Sequence, residues 1–165
     1  MIRTASILAF GAAVLLAGAM PALAQDGHTN HAEGHAAHGH AHADFASDRL
    51  HVRIDGPEGA PDLILIPGLS SSPEIWQGVV DHLGDRYRVH RIHVQGFAGA
   101  PAKGNASGPV AAPVAEEIAR YIREQGLQKP AVVGHSMGGT MGMMLAARHP
   151  DLVGKLMVVD MIPFM

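Results

Sequence analysis

The sequence predicts an α/β fold with a mostly parallel sheet and helices on both of its faces. From Leu50 onward, short aliphatic runs alternate with amphipathic stretches of helical period. Repeated strand, helix, strand order is typical of parallel sheets. Glycine or proline stands at the ends of most of these runs, where it stops a strand or a helix.

The composition of the chain excludes some classes of binding partner. The 165 residues include no cysteine and carry a formal net charge of −3. Mild negative charge without a basic cluster argues against nucleic acid and anionic membranes as partners, because both favour concentrated Lys and Arg. Without cysteine the chain has no disulfide and no lipid-attachment site, so its stability must come from a core.

Residues 1–24 predict an export signal. Arg3 supplies a positive n-region, residues 7–20 are almost wholly apolar, and residues 22–24 have the small-x-small form that signal peptidases cut. The alternative is an uncleaved anchor, but the apolar stretch is short for a membrane span of roughly 20 residues. We expect cleavage before Gln25, no stable membrane span afterwards, and a periplasmic or secreted protein.

Residues 25–48 predict a His-rich disordered linker, since small and polar residues offer little to bury. The alternative is a loose, weak site for Zn, Ni or Cu, because neutral imidazole is a good ligand. The irregular spacing lacks the fixed intervals of a structural zinc site, which favours the linker. The histidines are His28, His31, His35, His38, His40 and His42.

The first elements of the domain, residues 49–165, follow in order. An antiparallel edge strand is predicted over 50–56, and the aliphatic run over 63–68 predicts a strand buried on both faces. A helix is expected next, with Ser72 as N-cap, Pro73 at its first position and Gly84 as its stop.

The later elements repeat the pattern. Alternation over 87–94 predicts a strand, and the apolar face of 113–125 predicts a helix that Gly126 ends. The remaining elements are a strand at 130–134, a buried helix at 137–148 and an aliphatic strand at 155–160. The helix contains Met141, Met143 and Met144, which we interpret as core filler rather than copper ligands.

Ser136 stands between Gly134 and Gly138, where a short strand must turn sharply into a helix. Such a turn holds a serine in a strained conformation with its hydroxyl exposed. Glycine is needed on either side because strand and helix pass too closely for a Cβ. The alternative role for Ser136 is an ordinary helix N-cap.

These residues resemble the α/β-hydrolase family over most of 50–165. GHSMGG (134–139) is similar to the nucleophile elbow, and IPGLSSSPEIW (66–76) to the loop after the family's third strand. VQGFAGAP (94–101) resembles the loop after the fourth strand, without the Asp that commonly begins it.

The resemblance implies roles for three residues and no cofactor. Ser136 would attack an ester, amide or similar carbonyl group of a small molecule. The backbone N–H groups of Leu69 and Met137 would form the oxyanion hole.

The remaining triad members are harder to place, since the family's chain order is Ser, acid, His. His149 follows Ser136 but ends the helix on the far side, and His135 is expected to be packed or solvated rather than to reach the hydroxyl. Asp160 is one candidate acid. The histidine, and the more usual acid, would come from beyond Met165, so the resemblance implies a hydrolase truncated after about the sixth strand of the usual sheet.

Two further expectations follow. The uncovered strand at 155–160 would present unpaired backbone groups, which invite self-association. The alternative function is that of a periplasmic metal-binding protein, in which the His-rich segment acts and the hydrolase-like domain is a non-catalytic scaffold.

Overall fold

Five strands form one sheet in the computed structural model, which describes residues 45–161. The strands are β1 (Leu50–Asp55), β2 (Asp62–Ile66), β3 (Arg88–Val94), β4 (Ala131–His135) and β5 (Lys155–Val159). The helices are α1 (Gln77–Leu83), α2 (Ala111–Glu124) and α3 (Met137–Arg148), with short 3-10 turns at Pro73–Trp76 and Lys103–Asn105.

The sheet is mixed, with the order β1-β3-β2-β4-β5. β1 pairs with β3 in antiparallel fashion, and the other neighbours are parallel. The predicted fold class is therefore confirmed, as is the antiparallel edge strand. Parallel register brings the carboxyl ends of β2, β4 and β5 to one edge of the sheet, where Ile66 pairs with Gly134.

Alternate residues of β2 pack on opposite faces of the sheet. Leu63 and Leu65 contact a cluster that includes Trp76 and apolar residues of α1. Ile64 and Ile66 belong to the larger core formed with α2 and α3. All four side chains are at most 5% exposed. Because side chains alternate along a strand, a continuous aliphatic run is the pattern that a strand covered on both faces requires.

The predicted helix boundaries agree closely with the structure. The Ser72 hydroxyl accepts a hydrogen bond from the Glu74 N–H at 3.2 Å, and the chain passes through a 3-10 turn before α1. α2 begins at Ala111, two residues before the predicted start, and Gly126 follows its end with φ +65°. The left-handed backbone of Gly126 is a conformation that glycine adopts at no steric cost.

Packing extends upstream of the predicted domain start at residue 49. The ring of Phe45 lies 5.0 Å from that of Tyr121 and 4.3 Å from the Arg120 guanidinium. Arg120 also donates a hydrogen bond to the carbonyl oxygen of Ala46 at 2.7 Å. Residues 45–48, which the sequence assigns to the linker, thus lie against α2, because the aromatic ring of Phe45 packs on Tyr121 and Arg120.

β5 differs from the other strands in exposure. Leu156, Met157 and Val158 are 37%, 60% and 37% exposed, and within the described part of the chain β5 pairs only with β4. The predicted self-association through this strand stays a prediction.

Residues 1–44 and 162–165 lie outside the described residues. The export signal and all six histidines of the linker segment fall there and remain predictions. Between residues 45 and 161, no helix is long and apolar enough to cross a membrane.

Candidate active site

The turn between β4 and α3 holds Ser136 in an unusual conformation. Its φ is +51° and its ψ is −121°, a left-handed backbone that costs a non-glycine residue about 1–3 kcal/mol. The Ser136 N–H donates to the Val159 carbonyl at 2.9 Å, and the Ser136 carbonyl accepts from the Gly139 N–H at 2.8 Å. Its side chain makes no capping hydrogen bond to α3, so the hydroxyl does not act as an ordinary N-cap.

Two glycines make this turn sterically possible. A Cβ on Gly134 would lie 2.6 Å from the Gly139 nitrogen, and one on Gly138 would lie 2.6 Å from the Pro67 oxygen. The obstacles are backbone atoms, which cannot rotate away. The predicted steric need for glycine is confirmed, and the structure adds that Gly138 faces the end of β2 and the loop after it.

The loop after β2 passes beside the serine. A Cβ on Gly68 would lie 3.4 Å from the Ser136 Cβ, so the next residue, Leu69, is close to the elbow, with its side chain 64% exposed. Met137 is the first residue of α3, whose N–H has no acceptor within its own helix. Neither this N–H nor that of Leu69 donates to another group in the described part of the chain.

His149 is bound to α2 and is not placed to act as the base for Ser136. Its Nε2 lies 2.8 Å from a Glu116 carboxylate oxygen and its Nδ1 lies 3.0 Å from the Arg123 guanidinium, so both ring nitrogens are engaged by α2. Within residues 45–161, no hydrogen bond joins any histidine to the Ser136 hydroxyl.

His135 and Asp160 approach one another at the carboxyl ends of β4 and β5. Asp160 follows β5 with φ +51°, and its Oδ2 lies 3.5 Å from Nε2 of His135. The Asp160 side chain is 87% exposed. The structure thus brings Asp160 to the edge where the elbow lies, but its contact is with His135 rather than with the serine hydroxyl.

A small cavity of about 260 Å³ lies on the α1 face beside the elbow. Trp76 and His135 both line it, together with Ser71, Ile75 and Val159. The Trp76 Nε1 and the His135 Nδ1 are enclosed and have no hydrogen-bond partner among residues 45–161. Trp76 packs against the sheet, but the sequence carries no signal for its unpartnered N–H, because the partner depends on the fold.

Metal ligands are not grouped in the described part of the chain. Between residues 45 and 161, no set of three or more His, Cys, Asp or Glu side chains is placed to hold a metal ion.

Comparison with known proteins places this geometry in a family. A family model described as alpha/beta hydrolase fold matches residues 61–163. A Serratia proteamaculans protein with the provisional name carbamate hydrolase RutD is 37% identical over 102 residues, which are 61% of this chain and 38% of that protein. The pimeloyl-[acyl-carrier protein] methyl ester esterase of Aeromonas hydrophila is 34% identical over 103 residues, which are 62% of this chain and 39% of the esterase.

Comparison with solved structures gives the same fold. A marine microorganism esterase superposes with a TM-score of 0.59 at 33% identity, covering 68% of this chain and 41% of the esterase chain. The chain spans about two fifths of the length of the curated relatives it matches. With its family model, its sheet order and its strained serine turn, the chain belongs to the alpha/beta-hydrolase fold family.

Proposed function

We propose that this chain carries the nucleophile and oxyanion hole of an exported serine hydrolase that acts on an ester, amide or similar carbonyl compound. The observation that carries the proposal is the Ser136 turn, with its positive φ, its uncommitted hydroxyl and glycines on both sides. Strain of this kind clusters at active sites, where the surrounding structure holds it.

The proposed chemistry is acyl transfer. The Ser136 oxygen attacks the carbonyl carbon while its proton passes to a general base, and negative charge develops on the carbonyl oxygen. The N–H groups of Leu69 and Met137 then donate to that oxygen. The bond to the alcohol or amine breaks as the base returns the proton to this leaving group, and water then releases the acyl group from Ser136 by the same route. Removing one oxyanion-hole donor typically costs about 2.7–4 kcal/mol of transition-state stabilisation.

The proposed general base is a histidine beyond Met165, in a longer product of the same gene. Support comes from the engaged ring of His149 and from the matched relatives, which extend well beyond the aligned segment. A serine without such a base is a weak nucleophile at neutral pH. Asp160 is the candidate acid, because it stands at the same edge of the sheet as the elbow.

The substrate class rests on the relatives and on the site. Two matched proteins are named as a methyl ester esterase and an esterase, which supports an ester as the first substrate to try. Export to the periplasm or medium rests on residues 1–24, and purification of the processed form with N-terminal sequencing tests it. A mature N-terminus at Gln25 is expected.

A fluorescent fluorophosphonate tests the nucleophile, since it reacts with activated serines. The 165-residue chain and any longer product of the same gene are labelled beside Ser136→Ala and beside Ser107→Ala, an exposed serine before α2. We expect labelling of the longer product that Ser136→Ala abolishes and Ser107→Ala leaves intact.

Two other outcomes are informative. Labelling of the 165-residue chain itself would place the base within this chain or a partner subunit and contradict the proposed origin of the histidine. Absence of labelling from both folded proteins would overturn the assignment of Ser136 as nucleophile.

A further inference from the structure

A second, larger cavity lies at the opposite end of the sheet from Ser136. Its volume is about 610 Å³, and it lies where β2, β3, β4 and β5 begin. Its charged lining residues are Asp62, Arg88, Lys129 and Lys155. No step of the proposed hydrolase chemistry uses this end of the sheet.

Arg88 is buried there without an ion pair in the described part of the chain, although Asp62, its register partner on β2, lines the same cavity. It is 7% exposed, and within residues 45–161 its guanidinium makes no hydrogen bond or ion pair, since the Asp62 carboxylate is bonded to His90 instead. None of its nitrogens is among the enclosed, unpartnered atoms, so the guanidinium opens onto the cavity that the residue lines.

Arg91, three residues further along β3, is a buried arginine whose charge is paired. It donates to both carboxylate oxygens of Asp55, at 2.8 and 3.1 Å, and to Glu74 at 3.2 Å. Burying a charge is costly unless it is paired and hydrogen-bonded. The two arginines share a strand and a chemistry, so the contrast leaves the Arg88 guanidinium as a donor group that has no carboxylate partner within residues 45–161.

The rest of the lining favours an anion of more than one charge. Lys129 and Lys155 add two cations to that of Arg88, against the single carboxylate of Asp62. One oxygen of Asp62 already lies 2.9 Å from Nε2 of His90. A guanidinium binds two oxygens of a phosphate through parallel N–H donors, and lysine adds point charge at the rim.

We propose that this cavity binds a phosphate group, either free inorganic phosphate or the phosphate of a small phosphomonoester. Arg88 contacts two phosphate oxygens from the floor of the cavity, and Lys129 and Lys155 neutralise the group from its rim. The site is independent of Ser136, because the two lie at opposite ends of the parallel strands.

Calorimetric titration at constant ionic strength tests the site. Inorganic phosphate, glycerol phosphate and chloride are titrated separately into the 165-residue chain, into Arg88→Gln and into Arg86→Gln. Arg86 is the matched control, since it carries the same charge but is 59% exposed and, among residues 45–161, pairs only with Asp85, at 3.7 Å. We expect saturable binding of a phosphate probe, weakened at least about tenfold in Arg88→Gln and less than about twofold in Arg86→Gln.

The probes separate the two sources of the phosphate. Tighter binding of glycerol phosphate would identify a phosphomonoester as the ligand, and tighter binding of inorganic phosphate would identify the free ion. If Arg88→Gln fails to fold by circular dichroism, the exposed variants Lys129→Gln and Lys155→Gln take its place, each with an expected loss of about threefold. Absence of saturable phosphate binding, or equal binding by folded Arg88→Gln, would overturn the proposal.

Discussion

α2 and α3 cover the same face of the sheet and share one core, but they differ in how closely they approach it. α2 inserts large side chains into the core, among them Ile118, Tyr121 and Ile122, all at most 1% exposed. α3 also buries Met141 and Leu145, but at Gly138 it approaches the end of β2 so closely that an added Cβ would lie 2.6 Å from the backbone oxygen of Pro67. The difference teaches that packing between side chains can be weakened in steps, whereas the backbone contact at Gly138 is lost with the first added methyl group.

The largest expected effect is that of Gly138→Ala in α3. Helix propensity alone predicts stabilisation, because Ala is about 1 kcal/mol better than Gly inside a helix. The added methyl would instead collide with backbone oxygens of Ile66 and Pro67, so we expect a loss of about 3 kcal/mol in the free energy of unfolding. Urea denaturation measures it.

Gly78→Ala in α1 is the control, since nothing lies within 4 Å of its added Cβ. It should be neutral or stabilising by up to about 1 kcal/mol. Equal effects at the two positions would mean that the contact of α3 with the loop after β2 is not what requires glycine.

The next effect in size concerns α2. The Tyr121 hydroxyl lies 2.6 Å from Nδ1 of buried His90. Tyr121→Phe keeps the ring but removes this bond, and we expect a loss of about 1–3 kcal/mol in urea unfolding. Tyr87→Phe is the matched control, since the half-buried Tyr87 has no side-chain hydrogen bond in the described region. A loss in Tyr87→Phe as large as that in Tyr121→Phe would contradict the role of the bond.

Alkaline pH tests the same side chain without a mutation. Burial raises the pKa of Tyr121, and the Asp62 carboxylate adds to this increase while Arg88 opposes it. The unfolded chain loses its phenolic proton near pH 10, whereas the folded chain keeps it. Above about pH 10 the unfolded state therefore binds fewer protons, and stability falls as pH rises. The urea midpoint should fall less steeply with pH in Tyr121→Phe, and identical slopes would argue against the effect of burial.

The smallest expected effect on stability concerns the ion pairs that join α2 to the end of α3. The hydrogen bond from His149, followed by that from Arg148, holds the pKa of the Glu116 carboxyl below its usual value. Glu116 therefore stays ionised in the folded chain at a pH where the same carboxyl binds a proton in the unfolded chain. Its contribution to the free energy of unfolding is present above about pH 4.5 and is lost as the pH falls.

Glu116→Gln should lower the thermal midpoint slightly at pH 6 and less at pH 3, with the difference reduced by salt. The pair is exposed, which keeps its effect small. Glu58→Gln, in an exposed loop, removes the same charge without an ion pair and serves as the control. A difference that grows as pH falls would contradict the sign of the linkage.

Much of the secondary structure followed from short-range pattern. α3 matches its prediction at both ends, and Ser72 caps the turn before α1 as expected. The start of α2 and the packing of residues 45–48 differ from prediction, because neither depends on periodicity. Phe45 is ordered by the ring of Tyr121 and the guanidinium of Arg120, which lie more than 70 positions away in the sequence.

The elbow was predictable because its requirements are local. Gly134 and Gly138 flank Ser136 within five positions, and any chain that turns so sharply from strand to helix needs small residues there. The unpartnered N–H of Trp76 and the contact between His135 and Asp160 were not predictable, since each joins separate elements of the fold.

Spacing along the chain was sufficient for the order of strands and helices, for the strained serine and for the glycines that permit it, because these depend on neighbours within a few residues. Which buried charges find partners was decided by strand register and helix docking. β1 pairs with β3 so that Asp55 meets Arg91, while no carboxylate of the described residues pairs with Arg88. Such pairings join positions that are distant in sequence, and only the assembled sheet brings them within reach of a hydrogen bond.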